Sequence, residues 1–436
     1  MMMKNPTMKI RFCSILGNYI IERLLCNMFN LFKTQKKNIY LDYAAATPVR
    51  EEVLKEISSA FSVFANPGSL HKDGLEAKKF LFSCRERIAR SLRSRADEII
   101  FTATGTESDN LAIRGTILEF LKSNPNKKPH IITSRIEHAG VLEVCKALEK
   151  EGLAELSFVG VDEKGFVNLK ELKSLLKEET VLVSIIHANN EVGTIQDIKE
   201  ISKAIRHFKK FEKGDAKSVY PLLHTDASQS FAFLKIETNT FPVDLMTFNS
   251  SKIYGPKGVA LLFVRKGTPI SSIIFGGSQE FGLRAGTEDL ASVCGFTKAI
   301  ELAVSEREEE SIRLKDLQNY FFKKSGEIFG ERIRVNGSRE ERIPNNINIT
   351  FKNFESELLV IELDAKGISV SSKSACNESA GDESSVISEI YPDEDARIGG
   401  LRISLGKYTK KEDLDYLLKS IKEILEKYKN FPKQTV

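Results

Sequence analysis

From residue 39 onward, short apolar runs alternate with stretches whose apolar positions recur every three or four residues. The run IYLDY predicts a strand, followed by helices near 50–64 and from about Ser69. EIIFT predicts a strand leading into a helix from about Thr106, HIITS one leading into a helix from about Ala139, and VLVSIIH one leading into a helix near 197–211. PLLHTDA, DLMTFN and GVALLFV follow as closely spaced strands. Apolar runs of strand length separated by helical periods describe a largely parallel sheet with helices on both faces.

Past residue 295 the pattern changes. A long charged helix near 297–328, strands near 332–335 and 346–351, a helix at 356–366, the strand GGLRISL and a final helix from about Lys410 describe a smaller α+β unit. The expected organisation is an extension over 1–38, a large α/β domain over 39–295 and a small C-terminal domain over 296–436. The extension is basic, with Glu22 its single acid, and its apolar part is interrupted by Asn18, Glu22 and Arg23, a poor match to a secretory leader. It is expected to be poorly structured, with Met28 as an alternative start.

Composition narrows the function. The 64 basic and 60 acidic residues are interleaved, giving a net charge of +4, and no basic stripe alternates with aromatics. That argues against direct nucleic-acid binding. No apolar run is long enough to span a membrane. The cysteines at 13, 26, 84, 145, 294 and 376 show no paired CxxC spacing, which argues for a reducing compartment, the cytoplasm, and against disulfides or structural zinc.

In open α/β sheets, ligands sit beyond the carboxyl ends of the strands. After EIIFT come Gly105 and Thr106 at a helix start, where backbone N–H groups, a hydroxyl and the positive end of the helix dipole suit a phosphate. No GxxxxGK[ST] or GxGxxG motif is present, which removes the usual nucleotide readings. The later strands deliver His138, Asn190, Asp226 with Gln229, and Lys252 to the same edge. His138, His187, His224 and Asp226 show no metal-ligand pair spacing, so no metal site is expected. A lysine for a Schiff base, a carboxylate for a ring nitrogen and an anion site are together what pyridoxal 5'-phosphate requires. Lys252, Asp226 and Gly105 with Thr106 fill those roles, with His138 on the ring face and Asn190 and Gln229 towards the phenolic oxygen.

The motifs YLDYAAATPV, NPGSLH, TESDNLAI, EHAGVLE, HANNEVGTIQDI, HTDASQ, KIYGPKG, LRAGTED, SSKSAC and LRISLGKYT run in order from Tyr40 to the final helix. In these the chain resembles the cysteine desulfurases of the NifS/IscS type, class V aminotransferase-like enzymes of fold type I that use pyridoxal phosphate. The resemblance implies Lys252 as the Schiff-base lysine, His138 as the stacking and proton-handling residue, and Arg402 as the clamp on the substrate carboxylate. It implies a homodimer in which Thr287 reaches the phosphate held by the other subunit. It also implies that Cys376, in the polar stretch SSKSACNESAGD, is the nucleophile that takes sulfur from L-cysteine as a persulfide and passes it to an acceptor protein, for iron–sulfur cluster assembly or tRNA thiolation.

The chain departs from the family before the lysine, where Asn249, Ser250 and Ser251 replace the usual Ser, Gly and His. Asn249 and Ser251 still offer donors to a phosphate. Lys373 stands where glycine is usual in the cysteine loop. A selenocysteine lyase or another class V enzyme of this cofactor are the alternative readings.

Overall fold

The computed structural model describes residues 38–372, 385–392 and 399–428. The extension over 1–37, Lys373 and Cys376 lie outside the described residues.

Seven strands form the central sheet: β2 (Ile99–Thr102), β3 (His130–Ser134), β4 (Glu155–Val159), β5 (Thr180–Ser184), β6 (Leu222–Asp226), β7 (Leu245–Asn249) and β8 (Ala260–Val264). Their order is β2-β8-β7-β6-β5-β3-β4. Strands β4 to β7 and β3 pair in parallel, whereas β8 is antiparallel to both of its neighbours. Two reversals in succession return β2 to the direction of β7. The carboxyl ends of β2, β3, β5, β6 and β7 therefore share one edge.

The helices covering this sheet are α1 (Glu51–Ala60), α2 (Lys72–Leu92), α3 (Gly105–Ser123), α4 (Ala139–Lys150), α5 (Leu169–Leu175) and α6 (Ile198–His207). Two cores flank the sheet. Ile132, Val183, Leu223, Met246 and Leu261 face one, and Ile131, Leu182, Leu222, Leu245 and Leu262 face the other. Each strand thus alternates its side chains between two buried faces, which is why these runs are continuously apolar.

A second unit combines β9 (Ile333–Val335), β10 (Asn346–Phe351) and β12 (Leu401–Ser404) in an antiparallel sheet of order β12-β10-β9. It carries α8 (Ser356–Ala365), α9 (Ser385–Ile390) and α10 (Lys411–Lys427). Strand β1 (Ile39–Tyr40) pairs in parallel with β11 (Ile368–Ser369), and Ile39 and Leu41 are buried in this unit's core. The first strand thus joins the small unit, not the large one that follows it in sequence.

The expected break at 295 falls inside α7 (Leu290–Phe329). Val293, Cys294, Phe296 and Ile300 pack in the large core, and Leu314, Phe321, Phe322 and Phe329 in the small one. One continuous helix therefore serves both units, because its apolar face simply changes partner part-way along. Strand β4, which the sequence reading passed over, is an edge strand with one buried residue, Val159. Its sequence ELSFV lacks the continuous apolar run of the interior strands.

Candidate active site

A cleft of about 700 Å³ including its mouth opens at the carboxyl edge of the sheet, lined by Ala44, Ala45, Gly105, Thr106, Asp109, His138, Ile186, Asn190, Asp226, Ser228, Gln229, Asn249, Lys252 and Arg402. Most of these come from strand ends or the turns beyond them; Gly105, Thr106 and Asp109 come from the first two turns of α3, Arg402 from β12, and Ala44 and Ala45 from the segment after β1.

Thr104 caps α3, its Oγ1 accepting from Glu107 N at 3.0 Å. That leaves Gly105 and Thr106 in the first turn, with the helix N-terminus towards the cleft, where an anion is favoured. A Cβ on Gly105 would come within 3.1 Å of Asn249 Nδ2. Glycine here therefore lets the helix start approach the end of β7.

His138 caps α4 through Nδ1, which accepts from Gly140 N at 3.0 Å. A nitrogen that accepts carries no proton, so the neutral ring is protonated at Nε2. Asp226 ends β6, and its Oδ1 accepts from Ser228 N at 2.8 Å. Lys252 closes a short turn after β7, with Nζ donating to Ala44 O at 2.9 Å and Ala45 O at 2.6 Å. Gln229 Nε2 donates to the same Ala44 carbonyl at 2.9 Å. The segment after β1 thereby holds both side chains in place.

Arg402 arrives from the small unit on β12. It is 1 % exposed, with Nη1 donating to Asn190 O at 3.2 Å and Nη2 to Asp42 Oδ1 at 2.9 Å. Its Nε is buried without a hydrogen-bond partner. Its backbone exchanges two hydrogen bonds with Ser371, of 2.7 and 3.1 Å.

The acids at and beneath the cleft floor are buried. Burial pushes the Glu137 carboxyl up to about 8. Burial, and after it the charge of Asp226, pushes Asp109 well above the usual carboxylate range. Burial holds His224, beneath Asp109, down to about 4.

Of the residues expected at the site, Gly105, Thr106, His138, Asn190, Asp226, Gln229, Asn249, Lys252 and Arg402 are brought together. Ser251 is not among the lining residues; its Oγ donates to Asn249 Oδ1 at 3.0 Å, so it braces Asn249. Thr287 is exposed and also outside this cleft. It follows a turn in which Glu280, Phe281 and Gly282 have φ of 48°, 58° and 80°. The buried Arg85–Glu280 ion pair at 2.6 Å holds that turn. The sequence reading missed Asp42, Asp109 and Ser228. For Asp109 a signal existed, because it lies four residues after Gly105 and so on the same face of α3.

A lysine amine, a carboxylate at a strand end, a capped helix start and an imidazole in one cleft fit pyridoxal 5'-phosphate in its chemistry and its anion requirement. The orphaned Arg402 Nε adds a buried donor suited to a carboxylate.

Comparison with known proteins agrees with the geometry. The aminotransferase class-V profile matches residues 39–417. A cysteine desulfurase IscS of Dictyoglomus turgidum is 43% identical over 393 residues, covering 90% of this chain and 95% of that protein. One from Clostridium botulinum is 38% identical over 392 residues, covering 89% of this chain and 94% of that protein. Among solved structures, a NifS-like protein superposes with a TM-score of 0.80 at 35% identity, covering 89% of this chain and 99% of that one. A NifS-like protein from Rickettsia africae gives 0.76 at 29%, with the same coverage of 89% and 99%. The chain belongs to the aminotransferase class-V family, among its pyridoxal phosphate-dependent cysteine desulfurases.

Proposed function

We propose that this cysteine desulfurase takes sulfur from L-cysteine onto Cys376, releases L-alanine and hands the sulfur to an acceptor protein. When bound, pyridoxal phosphate draws electron density from the amino acid joined to it, which exposes the substrate sulfur to a thiolate. Lys252 Nζ would hold the cofactor and move a proton at the substrate carbon. Asp226 would pair with the ring nitrogen, and Gly105, Thr106 and Asn249 would hold the phosphate. His138 would lie beside the cofactor and handle a proton through Nε2. Arg402 binds the substrate carboxylate. Cys376 Sγ then forms a bond to the substrate sulfur as the carbon–sulfur bond breaks, and a proton completes the methyl group of alanine.

The observation that carries this reading is the anchoring of Ser371 to Arg402 by two backbone hydrogen bonds. Cys376 follows five residues later, a step of at most about 18 Å for an extended chain. On the far side, Val386, Ile387 and Ile390 are buried against Ile136 and Val192, whose segments lead to the cleft. One tether of the cysteine segment therefore starts beside the substrate clamp and the other packs on segments that lead to the cleft.

The working form is a homodimer. Phe64 is 85%, Phe275 86% and Leu70 90% exposed, apolar side chains that a second copy would cover, and Thr287 would then serve the other subunit's phosphate. The acceptor is an iron–sulfur scaffold or a tRNA-thiolation protein. The buried free thiols of Cys84, Cys145 and Cys294 suit a reducing compartment, the cytoplasm. Among the described residues, no helix is long and apolar enough to cross a membrane.

Turnover of L-cysteine tests the reading, with alanine and sulfide counted for the wild type and Cys376→Ser. The serine variant should bind L-cysteine and change the cofactor's absorption, yet release almost no alanine. Alanine release at the wild-type rate would remove Cys376 from the mechanism.

A further inference from the structure

Asp109 is 1 % exposed, yet it lines the cleft from the second turn of α3. Its Oδ1 is buried with no hydrogen-bond partner. Its Oδ2 lies so close to Gly140 that a Cβ there would come within 2.9 Å of it, and within 3.1 Å of His138 Nδ1. An oxygen of Asp109, a ring nitrogen of His138 and an oxygen of Asp226 all fall within 4.8 Å of one another.

The groups facing Asp109 leave little charge to neutralise a second anion. From β6 come Asp226 and His224, the latter with Nε2 3.8 Å from Asp109 Oδ1. Burial keeps that imidazole uncharged at neutral pH, with its pKa down at about 4. From the turn before α4 come His138 and Glu137, a third buried acid. From the turn after β7 comes Lys252, whose ammonium donates to Ala44 O and Ala45 O. Two carboxyls in one buried corner hold a proton between them sooner than both ionise.

We propose that Asp109 is a positioning residue that carries this proton, leaving Asp226 as the single carboxylate charge at the ring-nitrogen end of the cleft. Burial and the Asp226 charge act on Asp109 in the direction this requires. As a neutral acid, Asp109 fills the space under the Gly140 turn without competing with Asp226 for the ring nitrogen. The role at the ring nitrogen rests on the reading of Asp226 given above; the protonation of Asp109 does not.

The test compares wild type with Asp109→Asn by thermal unfolding across roughly pH 5 to 8.5, on full-length protein saturated with cofactor and again after cofactor removal. A carboxyl that is neutral when folded and ionised when unfolded lowers stability progressively as pH rises. The asparagine variant lacks that loss. Its advantage in the folding equilibrium should therefore widen, by up to about tenfold per pH unit. Glu137 and the histidines are common to both proteins and cancel. Asp109→Ser should show the same slope whatever its packing cost, because the slope counts protons. In an Asp226→Asn background the gap should shrink, since part of it comes from the Asp226 charge. A pH-independent gap, or a variant that loses ground as pH rises, would show an ionised Asp109 and overturn the proposal. Failure of the ring-nitrogen assignment would instead appear as undiminished cofactor binding by Asp226→Ala.

Discussion

Arg402 Nη2 donates to Asp42 Oδ1 across 2.9 Å, joining two residues 360 positions apart. The arginine side chain is 2% exposed and the aspartate 16%. Asp42 is also held by its backbone bridge to Ser404, the last residue of β12. With Nη1 held by Asn190 O and Nη2 by Asp42, the guanidinium plane is fixed and Nε remains unpartnered for an incoming carboxylate.

Asp42→Asn keeps the shape and removes the charge. Its KM for L-cysteine should rise about tenfold, roughly 1.4 kcal/mol of lost binding, with kcat little changed and the cofactor retained. Its melting temperature should also fall, because a buried arginine has lost its partner. Steady-state kinetics check this, and an unchanged KM would remove Asp42 from the orientation of the clamp.

Asp226→Ala should bind pyridoxal phosphate weakly and lose activity by at least about a hundredfold, since an unpaired ring nitrogen makes a poor electron sink. Cofactor titration followed by absorbance gives the affinity directly.

Thr287 is exposed and outside the cleft of its own chain. Mixed dimers of Lys252→Ala and Thr287→Ala subunits should therefore regain one fully native site per dimer, with wild-type cofactor affinity. If Thr287 acted within its own subunit, no mixed dimer would contain such a site.

Mass spectrometry after exposure to L-cysteine should find one additional sulfur on the Cys376 peptide. Peptides containing Cys84, Cys145 or Cys294 should carry none, because those thiols are buried and burial raises Cys145 far beyond the range in which a thiolate forms.

Stability should peak near pH 6. Burial holds His130, His187 and His224 down to about 4 from an ordinary 6.5, so on unfolding they take up protons as pH falls through 6.5 towards 4, and stability drops. Glu137, pushed up to about 8, and Asp109, also raised, act oppositely: they stay protonated when folded while the unfolded chain has released those protons. Below about pH 6 the three histidines take up more protons on unfolding than the two carboxyls release, so stability rises with pH; above it the carboxyls dominate and stability falls towards pH 8. Thermal unfolding measured over this range that still climbs at pH 8 would contradict the protonated state of both acids.

The strands framing the cleft were legible because a strand buried on both faces is mostly apolar, and 131–132, 181–183 and 245–246 follow that rule. The groups following each strand were legible for a related reason: parallel strands send all their carboxyl ends to one edge. Edge strand β4 escaped because half-exposed residues carry no such constraint. Position 295 lies inside α7, whose charge pattern shows a long helix but not which core each half meets.

The sequence by itself determined the alternation of elements, the parallel sheet and the chemical types delivered to its edge: a lysine, a carboxylate, an imidazole and a helix start. Only the tertiary structure decided that Asn249 faces the cleft while Ser251 braces it, that Asp109 joins Asp226 in a buried acidic corner, and that Asp42 holds Arg402. These depend on distances between residues remote along the chain. Burial and charge coupling vary with that separation in space, and local periodicity carries no record of it.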